Sequence, residues 1–351
     1  MITIALGFIF TGILVLPLSV RRVEENLEVF LLSVAVIAVT VSHTLGPEAV
    51  WSPALVESAI IEPVKLTFAT FVFGVIFRML RPVLRRKVVI WEEAIGPRVF
   101  AALVIFSLGI LSSIITAIIA ALILCEIISA LSLDEKYETI LTVLACFSIG
   151  MGAALTPIGE PLSTIALAKL KGGANTADFL FLLKLVGIYI IPGVLLISVA
   201  GAFLRGVTVS SRESLTEDYT ESFRSIFARA VKVYFFVMAL ILLGRGFKPI
   251  IDAYIAPMSA GFLYWVNMSS AILDNATLAA AELGPQMSMP QVKGILMGVV
   301  IAGGMLIPGN IPNIIAASKL RISSRAWAVI GIPVGLSLMV AYYVVLFLFN
   351  I

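Results

Sequence analysis

Two short stretches combine helix-breaking residues with oxygen-bearing side chains in otherwise apolar surroundings. The first is TPIGEPLSTIALAKL, Thr156 to Leu170, and the second is LIPGNIPNIIAASKL, Leu306 to Leu320, 150 residues later. Proline removes a backbone donor and clashes with the preceding turn, so each stretch predicts an interrupted helix. Hydroxyl, amide, carboxyl and freed carbonyl oxygens at such an interruption suit a small hard cation such as Na⁺.

Two further polar clusters lie inside long apolar runs, LSSIIT at 111–116 and MSSAILDNAT at 268–277. We expect each cluster to face one of the interruptions and to complete an ion site. An ungapped alignment of the two interruptions pairs glycine with glycine and places a glutamate opposite an asparagine. The predicted ion-binding residues are Ser112, Ser113, Thr116, Thr156, Gly159, Glu160, Ser163, Ser269, Ser270, Asp274, Asn275, Thr277, Asn310 and Asn313.

The charge of this set favours a cation. It contains two carboxylates, Asp274 and Glu160, and no Arg, Lys or His. A carboxylate at the bilayer centre costs about 2.5–3.5 kcal/mol on insertion scales, and such residues are functional by default. We therefore predict Asp274 as the main Na⁺ ligand and proton carrier, with Glu160 as a second acid. The alternative is an anion bound at the positively charged N-termini of the helices that begin at the two interruptions.

The composition is that of a polytopic membrane protein. Of 351 residues, 60% are hydrophobic and only 13% are charged, far from the balance of a soluble domain. The lipid bilayer is thus the expected surrounding, in the plasma (inner) membrane of a prokaryote, with no nucleic-acid partner. No nucleotide-binding glycine loop, nucleophile–base pair or metal-ligand spacing occurs, so we expect neither an enzyme nor a bound cofactor.

The apolar runs divide the chain into two similar halves. We predict two N-terminal transmembrane helices in 1–56, a first half at 57–204, a linker at 205–227 and a second half at 228–351. The basic segment at 81–98 is expected to be a loop. Each half contains one run of about 34 residues, at 99–133 and 253–286. Such a run is either one over-long helix or a re-entrant hairpin with a polar tip.

The distribution of basic residues favours hairpins. With hairpins that do not cross, 17 of the 24 Lys and Arg residues lie on one side and 5 on the other. This matches the positive-inside rule and puts the N-terminus outside. Each half then crosses three times, so the second is inverted. The predicted fold is all-α, with two inverted repeats that each contain a re-entrant helical hairpin and a broken transmembrane helix, as in secondary transporters.

The stretch SSAILDNATLAAAE, together with TPIGEPLSTI and IPGNIPNIIAASKL, resembles the ion transporter superfamily. The similarity is greatest to its predicted cation transporter family, which is related to NhaD-type sodium/proton antiporters, and it extends from about residue 57 onward. The resemblance implies inverted repeats, a homodimer, and ion sites between each hairpin tip and the facing break. The Ser-Asn-Thr tips of the related sodium/dicarboxylate symporters are absent, and the first tip has no counterpart of Asp274.

The predicted function is therefore a cation/proton antiporter that exchanges Na⁺ for H⁺ by alternating access. Its partners are a small inorganic cation and protons. A sodium-coupled anion symporter on the same scaffold is the alternative, and an ion channel or a non-transporting scaffold is a third hypothesis. Two glutamates that follow the tips, Glu126 and Glu282, are expected near the membrane interface. Glu62 and Lys65 are predicted to form an ion pair or a proton relay, and the role of Lys184 stays open.

Overall fold

The computed structural model describes residues 2–20, 22–23, 26–46, 49–131, 133–170, 178–203, 222–250, 253–254, 257–272 and 275–349, and it contains helices and no strand within them. Asp274 and most of the predicted linker, 205–221, lie outside these residues. Besides a single turn at Lys248–Ile250, the α-helices in these residues are, in chain order, α1 Ile2–Ser19, α2 Leu27–Leu45, α3 Pro53–Ile95, α4 Pro97–Ile115, α5 Ala117–Ala130, α6 Glu135–Ala153, α7 Pro161–Leu170, α8 Phe181–Phe203, α9 Phe223–Gly246, α10 Ala260–Val266, α11 Asn275–Glu282, α12 Met289–Ala302, α13 Ile311–Lys319 and α14 Ser324–Tyr343. Short 3₁₀ segments occupy Asn267–Ala271 and Ile307–Gly309.

The helices identify a multi-pass membrane protein. Five of the helices in the described residues are long and apolar enough to cross a bilayer. Large apolar side chains also remain exposed on the outer surface, among them Phe8 at 75%, Phe68 at 67% and Val329 at 68%. A soluble monomer rarely exposes so much apolar surface, whereas lipid tails cover it without cost.

The basic segment that we predicted as a loop is helical. Helix α3 runs unbroken from Pro53 to Ile95 and ends at Gly96, whose φ of 81° only glycine adopts readily. Arg, Lys, Leu and Glu are good helix formers, so the charges do not end the helix. At about 1.5 Å per residue, α3 is about twice as long as the hydrocarbon core is thick.

Neither long apolar run is one continuous helix. The first divides into α4 and α5 at Thr116, which has a φ of 79°. A β-branched residue in this region is a backbone outlier that costs on the order of 1–3 kcal/mol. The second run divides into α10, the 3₁₀ segment at 267–271, and α11. The interpretation as an over-long helix is thus wrong for both runs.

The two halves of the chain pack through matching helices. Helix α4 lies on α6, and α10 lies on α12. The second arm of each divided run packs on the far half: α5 contacts α13, and α11 contacts α7. Helices α3 and α9 pack on each other and on α5 and α11 respectively. The core of the molecule is therefore the region where α5, α6, α7, α11, α12 and α13 meet.

Candidate functional site

The same hydrogen bonds bridge both helix breaks. Between α6 and α7 they are Leu155 N to Gly152 O, Gly159 N to Thr156 O, Ser163 N to Glu160 O and Ser163 Oγ to Ala153 O, at 3.1 to 3.4 Å. Between α12 and α13 they are Met305 N to Ala302 O, Gly309 N to Leu306 O, Asn313 N to Asn310 O and Asn313 Nδ2 to Gly303 O, at 2.8 to 3.3 Å. Each atom pair of the second break lies 150 residues after its counterpart. The two breaks therefore have the same backbone path.

A glycine in each break permits close approach to neighbouring backbone. A Cβ built on Gly309 would lie 2.6 Å from both Gly303 O and Ser270 O. A Cβ on Gly159 would overlap the backbone of Ala153. Only glycine fits at these two positions without displacing the chain.

The junction of α4 and α5 contacts the first break through backbone atoms. The Ala117 N–H donates to Gly159 O at 2.8 Å. Thr156 Oγ1 donates to Ser113 O in the opposite direction. The carbonyls of Gly159 and Ser113 are thus satisfied by protein donors, which offsets part of the strain energy of the Thr116 backbone.

The serines of the first tip attach α4 to its surroundings. Ser112 Oγ is 2.6 Å from Gly109 O and 2.9 Å from Ile149 O on α6, while Ser113 Oγ donates to Ile110 O at 2.7 Å. Both serines and Thr116 are buried. The two serine hydroxyl protons bond to backbone carbonyls, so the serine oxygens keep lone pairs for another partner, while Thr116 Oγ1 accepts from Ile119 N–H.

Asn275 makes the corresponding contacts at the second break. With its amide oriented by the hydrogen-bond network, Nδ2 donates to Gly309 O at 3.0 Å and to Val299 O at 3.2 Å. It also contacts Ser270 Oγ, and Asn275 Oδ1 accepts from Asn310 Nδ2 at 3.3 Å. The tip of the second run is thus joined to the second break by one buried amide, where the first run uses a backbone N–H.

Asn313 presents a buried oxygen that lacks a donor. Its Nδ2 donates to Gly303 O at 2.8 Å and to Leu306 O at 2.9 Å, which directs Oδ1 away from both carbonyls. Within the described residues Oδ1 has no hydrogen-bond partner, although Asn313 is 0% exposed. Such an oxygen costs about 1–3 kcal/mol unless a donor, a water or a cation satisfies it.

Glu160 and Asn310 directly precede α7 and α13, and both are buried. The amide of Asn310 lies against α6, because a Cβ on Gly150 would be 2.6 Å from Asn310 Nδ2. The second break is therefore packed on the helix that leads into the first. Hydroxyl and amide oxygens and the Glu160 carboxyl group therefore lie in one buried region around the two breaks.

The described contacts do not connect three of the predicted site residues to the two helix breaks. Ser269 is only half-buried and makes no bond to the break among the contacts described. Asp274 lies outside the described residues, as does the side chain of Thr277. In the described part of the chain, no group of three or more His, Cys, Asp or Glu side chains is arranged to hold a metal ion.

Charged groups away from the breaks have specific surroundings. Glu62 lines a cavity of about 150 Å³ together with Lys169 and Arg245, while the side chain of Lys65 is outside the described set. Lys184 pairs with Asp178 at 2.7 Å on the surface. The Lys184 ammonium lowers the pKa of the Asp178 carboxyl, mainly through this hydrogen bond.

Asn267 and Glu282 form a buried pair that was not predicted from the sequence. Asn267 Nδ2 donates to Glu282 Oε2 at 2.6 Å, and both residues are buried. Glu282 is thus buried within the protein, and its position near the membrane interface stays a prediction. No local pattern links two residues fifteen positions apart across a polar tip, so the only available signal was the carboxyl itself.

Comparison with known proteins places the chain in one family. A family model described as "Protein of unknown function (DUF1646)" matches residues 3–349, and the chain therefore belongs to that family. None of the curated proteins searched matches the chain.

Proposed function

We propose that this member of the DUF1646 family is a secondary active transporter that exchanges Na⁺ for H⁺ across the plasma membrane of a prokaryote. The observation that carries the proposal is Asn313 Oδ1, a buried amide oxygen at a helix break with no donor among the described residues. A desolvated cation satisfies such an oxygen, and the further oxygens of the break supply additional ligands.

The matching breaks support an internal repeat. Four hydrogen bonds recur with a spacing of 150 residues, and the packing of α5 on α13 mirrors that of α11 on α7. We propose that the halves are inverted repeats and that α4–α5 and α10–α11 are re-entrant hairpins. Discontinuous helices at the interface of such repeats form the ion sites of many transporters, and rocking of one repeat against the other gives alternating access.

Residue chemistry favours a cation over an anion. The polar side chains that meet at the breaks are hydroxyls, amides and the Glu160 carboxyl, and none is basic. Asp274 directly precedes Asn275, whose amide reaches the second break. We assign Asp274 as the main Na⁺ ligand and proton carrier, with Glu160 as the second acid. The carboxyl oxygens coordinate the cation, and the rest of the oxygen set orients it.

Competition for one carboxyl couples the two ions. A buried carboxylate without a counter-ion is unstable, so the empty site takes up a proton. An entering Na⁺ stabilises the carboxylate and displaces the proton. A conformational change that exposes the site to each side in turn completes the exchange.

Reconstitution tests the proposal. In proteoliposomes with a pH-sensitive dye inside, an outward Na⁺ gradient should drive proton uptake, and a panel of cations should rank Na⁺ and Li⁺ above K⁺. Asp274→Asn should abolish this uptake, while Asp178→Asn, which changes an exposed acid, should retain it. Exchange of wild-type rate in the Asp274 variant refutes the assignment.

A sodium-coupled anion symporter is the second candidate. The observation in its favour is the cavity beside α7, where Lys169 and Arg245 supply positive charge. Uptake of a labelled anion that requires Na⁺ and moves no proton would select this function over antiport.

A further inference from the structure

A buried amide–carboxyl pair connects the two arms of the second divided run. Asn267 begins the 3₁₀ segment and Glu282 ends α11. Asn267 Nδ2 donates to Glu282 Oε2 at 2.6 Å and to Leu263 O at 2.9 Å. Asn267 is 0% exposed and Glu282 is 5% exposed. The pair is distinct from the contacts that join the tip of this run to the second break.

Helices α7 and α9 pack on α11, and among the contacts described none of the basic side chains on these two helices bonds to Glu282. Lys169 Nζ donates to Gly244 O. Arg245 is exposed and lines the cavity beside α7. Neither forms an ion pair with Glu282, whose described bond is with Asn267 alone.

Within the part of the chain that the structure describes, the other elements packed on α11 also place no cation beside Glu282. On α12 the single basic residue is Lys293, whose Nζ lies 3.3 Å from the Tyr189 hydroxyl. The 3₁₀ segment at 267–271 has no titratable side chain. Among the described residues, an ionised carboxyl in this position would be buried without a counter-ion, which is strongly unfavourable. Glu282 is therefore most stable with a proton bound.

Asn267 supplies a second feature that suits a proton. Its Nδ2 stabilises the carboxyl oxygen, while its Oδ1 is buried and has no donor among the described residues. This oxygen can accept from a water that carries the proton to or from the carboxyl. A site of this kind needs one acid, one fixed donor and one free acceptor, and the pair provides all three.

We propose that Glu282, positioned by Asn267, is a proton-binding site separate from the two helix breaks. On release, the carboxyl O–H bond breaks and its proton passes to water, which leaves a carboxylate. Because the pair joins the arms whose tip contacts the second break, a movement of the arms that accompanies cation binding changes the surroundings of Glu282. The inference rests on the proposed antiport, since the proton bound here is one that the cation displaces.

Infrared spectroscopy tests the site without a transport assay. A protonated buried carboxyl has a C=O stretching band that an ionised carboxyl lacks. In pH-difference spectra of the purified wild-type protein, we expect one such band that Glu282→Gln removes. Glu126→Gln, which removes another buried acid at a similar distance from its tip, should leave that band in place.

Asn267→Ala provides a second measurement that keeps the acid. Loss of the 2.6 Å bond should shift the Glu282 band to higher frequency, because a carbonyl that loses a donor stretches faster. This variant decides the question if Glu282→Gln fails to fold. A band that is unchanged in both variants, or unchanged in Asn267→Ala alone when the other does not fold, overturns the proposal.

The outcomes separate this site from the proposed function. Sodium-driven proton movement by the wild type, with an infrared band unaffected by the variants, overturns the Glu282 site and leaves the antiport standing. A band assigned to Glu282, in a protein that moves no protons in exchange for any cation, overturns the antiport. If both stand, Glu282→Gln should also lose proton-coupled exchange, and retention of wild-type exchange in that variant contradicts the link between them.

Discussion

Replacement of Asn313 by alanine removes the amide that bridges the second helix break. Gly303 O then loses the donor at 2.8 Å, and an unsatisfied buried carbonyl costs about 1–3 kcal/mol. Leu306 O loses a donor at 2.9 Å but still accepts from Gly309 N–H at 3.3 Å. The variant also removes the buried Asn313 Oδ1, which has no donor among the described residues, and this offsets part of the loss of stability. We expect a net decrease of about 1–2 kcal/mol in the free energy of unfolding.

The matched control is Ser163→Ala, at the corresponding position of the first break. Its hydroxyl makes one bond to Ala153 O at 3.4 Å, so its loss should cost less than about 1 kcal/mol. Equilibrium unfolding in mixed micelles, followed by circular dichroism, measures both variants. Na⁺ should stabilise the wild type through linkage and should stabilise Asn313→Ala less. The reasoning is refuted if Asn313→Ala is as stable as Ser163→Ala and responds to Na⁺ as the wild type does.

The same unfolding titration tests two further contacts. Gly309→Ala should destabilise the protein by about 1–3 kcal/mol, because overpacking at this site forces the tip away from the break, whereas Gly7→Ala, with nothing within 4 Å of its Cβ, should be near neutral. Equal stability of the two glycine variants would contradict the close approach. Tyr342→Phe should cost about 1 kcal/mol through loss of the buried hydroxyl that donates to Tyr189 O at 2.7 Å. An unchanged free energy in that variant would show that the bond contributes nothing.

The helix breaks could be predicted from sequence because their cause is local. Pro157 and Pro308 cannot continue a helix, and the structure ends α6 at Ala153 and α12 at Ala302, a few residues before them. Pro161 and Pro312 lie in the first turn of α7 and α13, where proline is tolerated. The uniform hydropathy of the surrounding residues likewise identified helices in a membrane. The use of Asn313 as a donor to freed carbonyls was not predicted, since we expected a cation in that role. Side-chain orientation depends on packing that spacing does not encode.

Other features depended on longer-range effects. The basic segment at 81–98 was predicted as a loop between spans, yet most of it continues α3, which extends well beyond the hydrocarbon thickness. The Asn267–Glu282 bond forms only when the second divided run folds back on itself. The sequence placed Glu282 only near the membrane interface and gave no partner for it.

The central claim is that Na⁺ and H⁺ compete for one acid at an oxygen-lined helix break, and proton release on Na⁺ binding tests it most directly. Purified protein in weakly buffered detergent solution with a pH indicator should acidify the medium when NaCl is added. Choline chloride should produce no change, and Asp274→Asn should release no proton. Absence of acidification in the wild type, or an equal release by Asp274→Asn, would contradict the account.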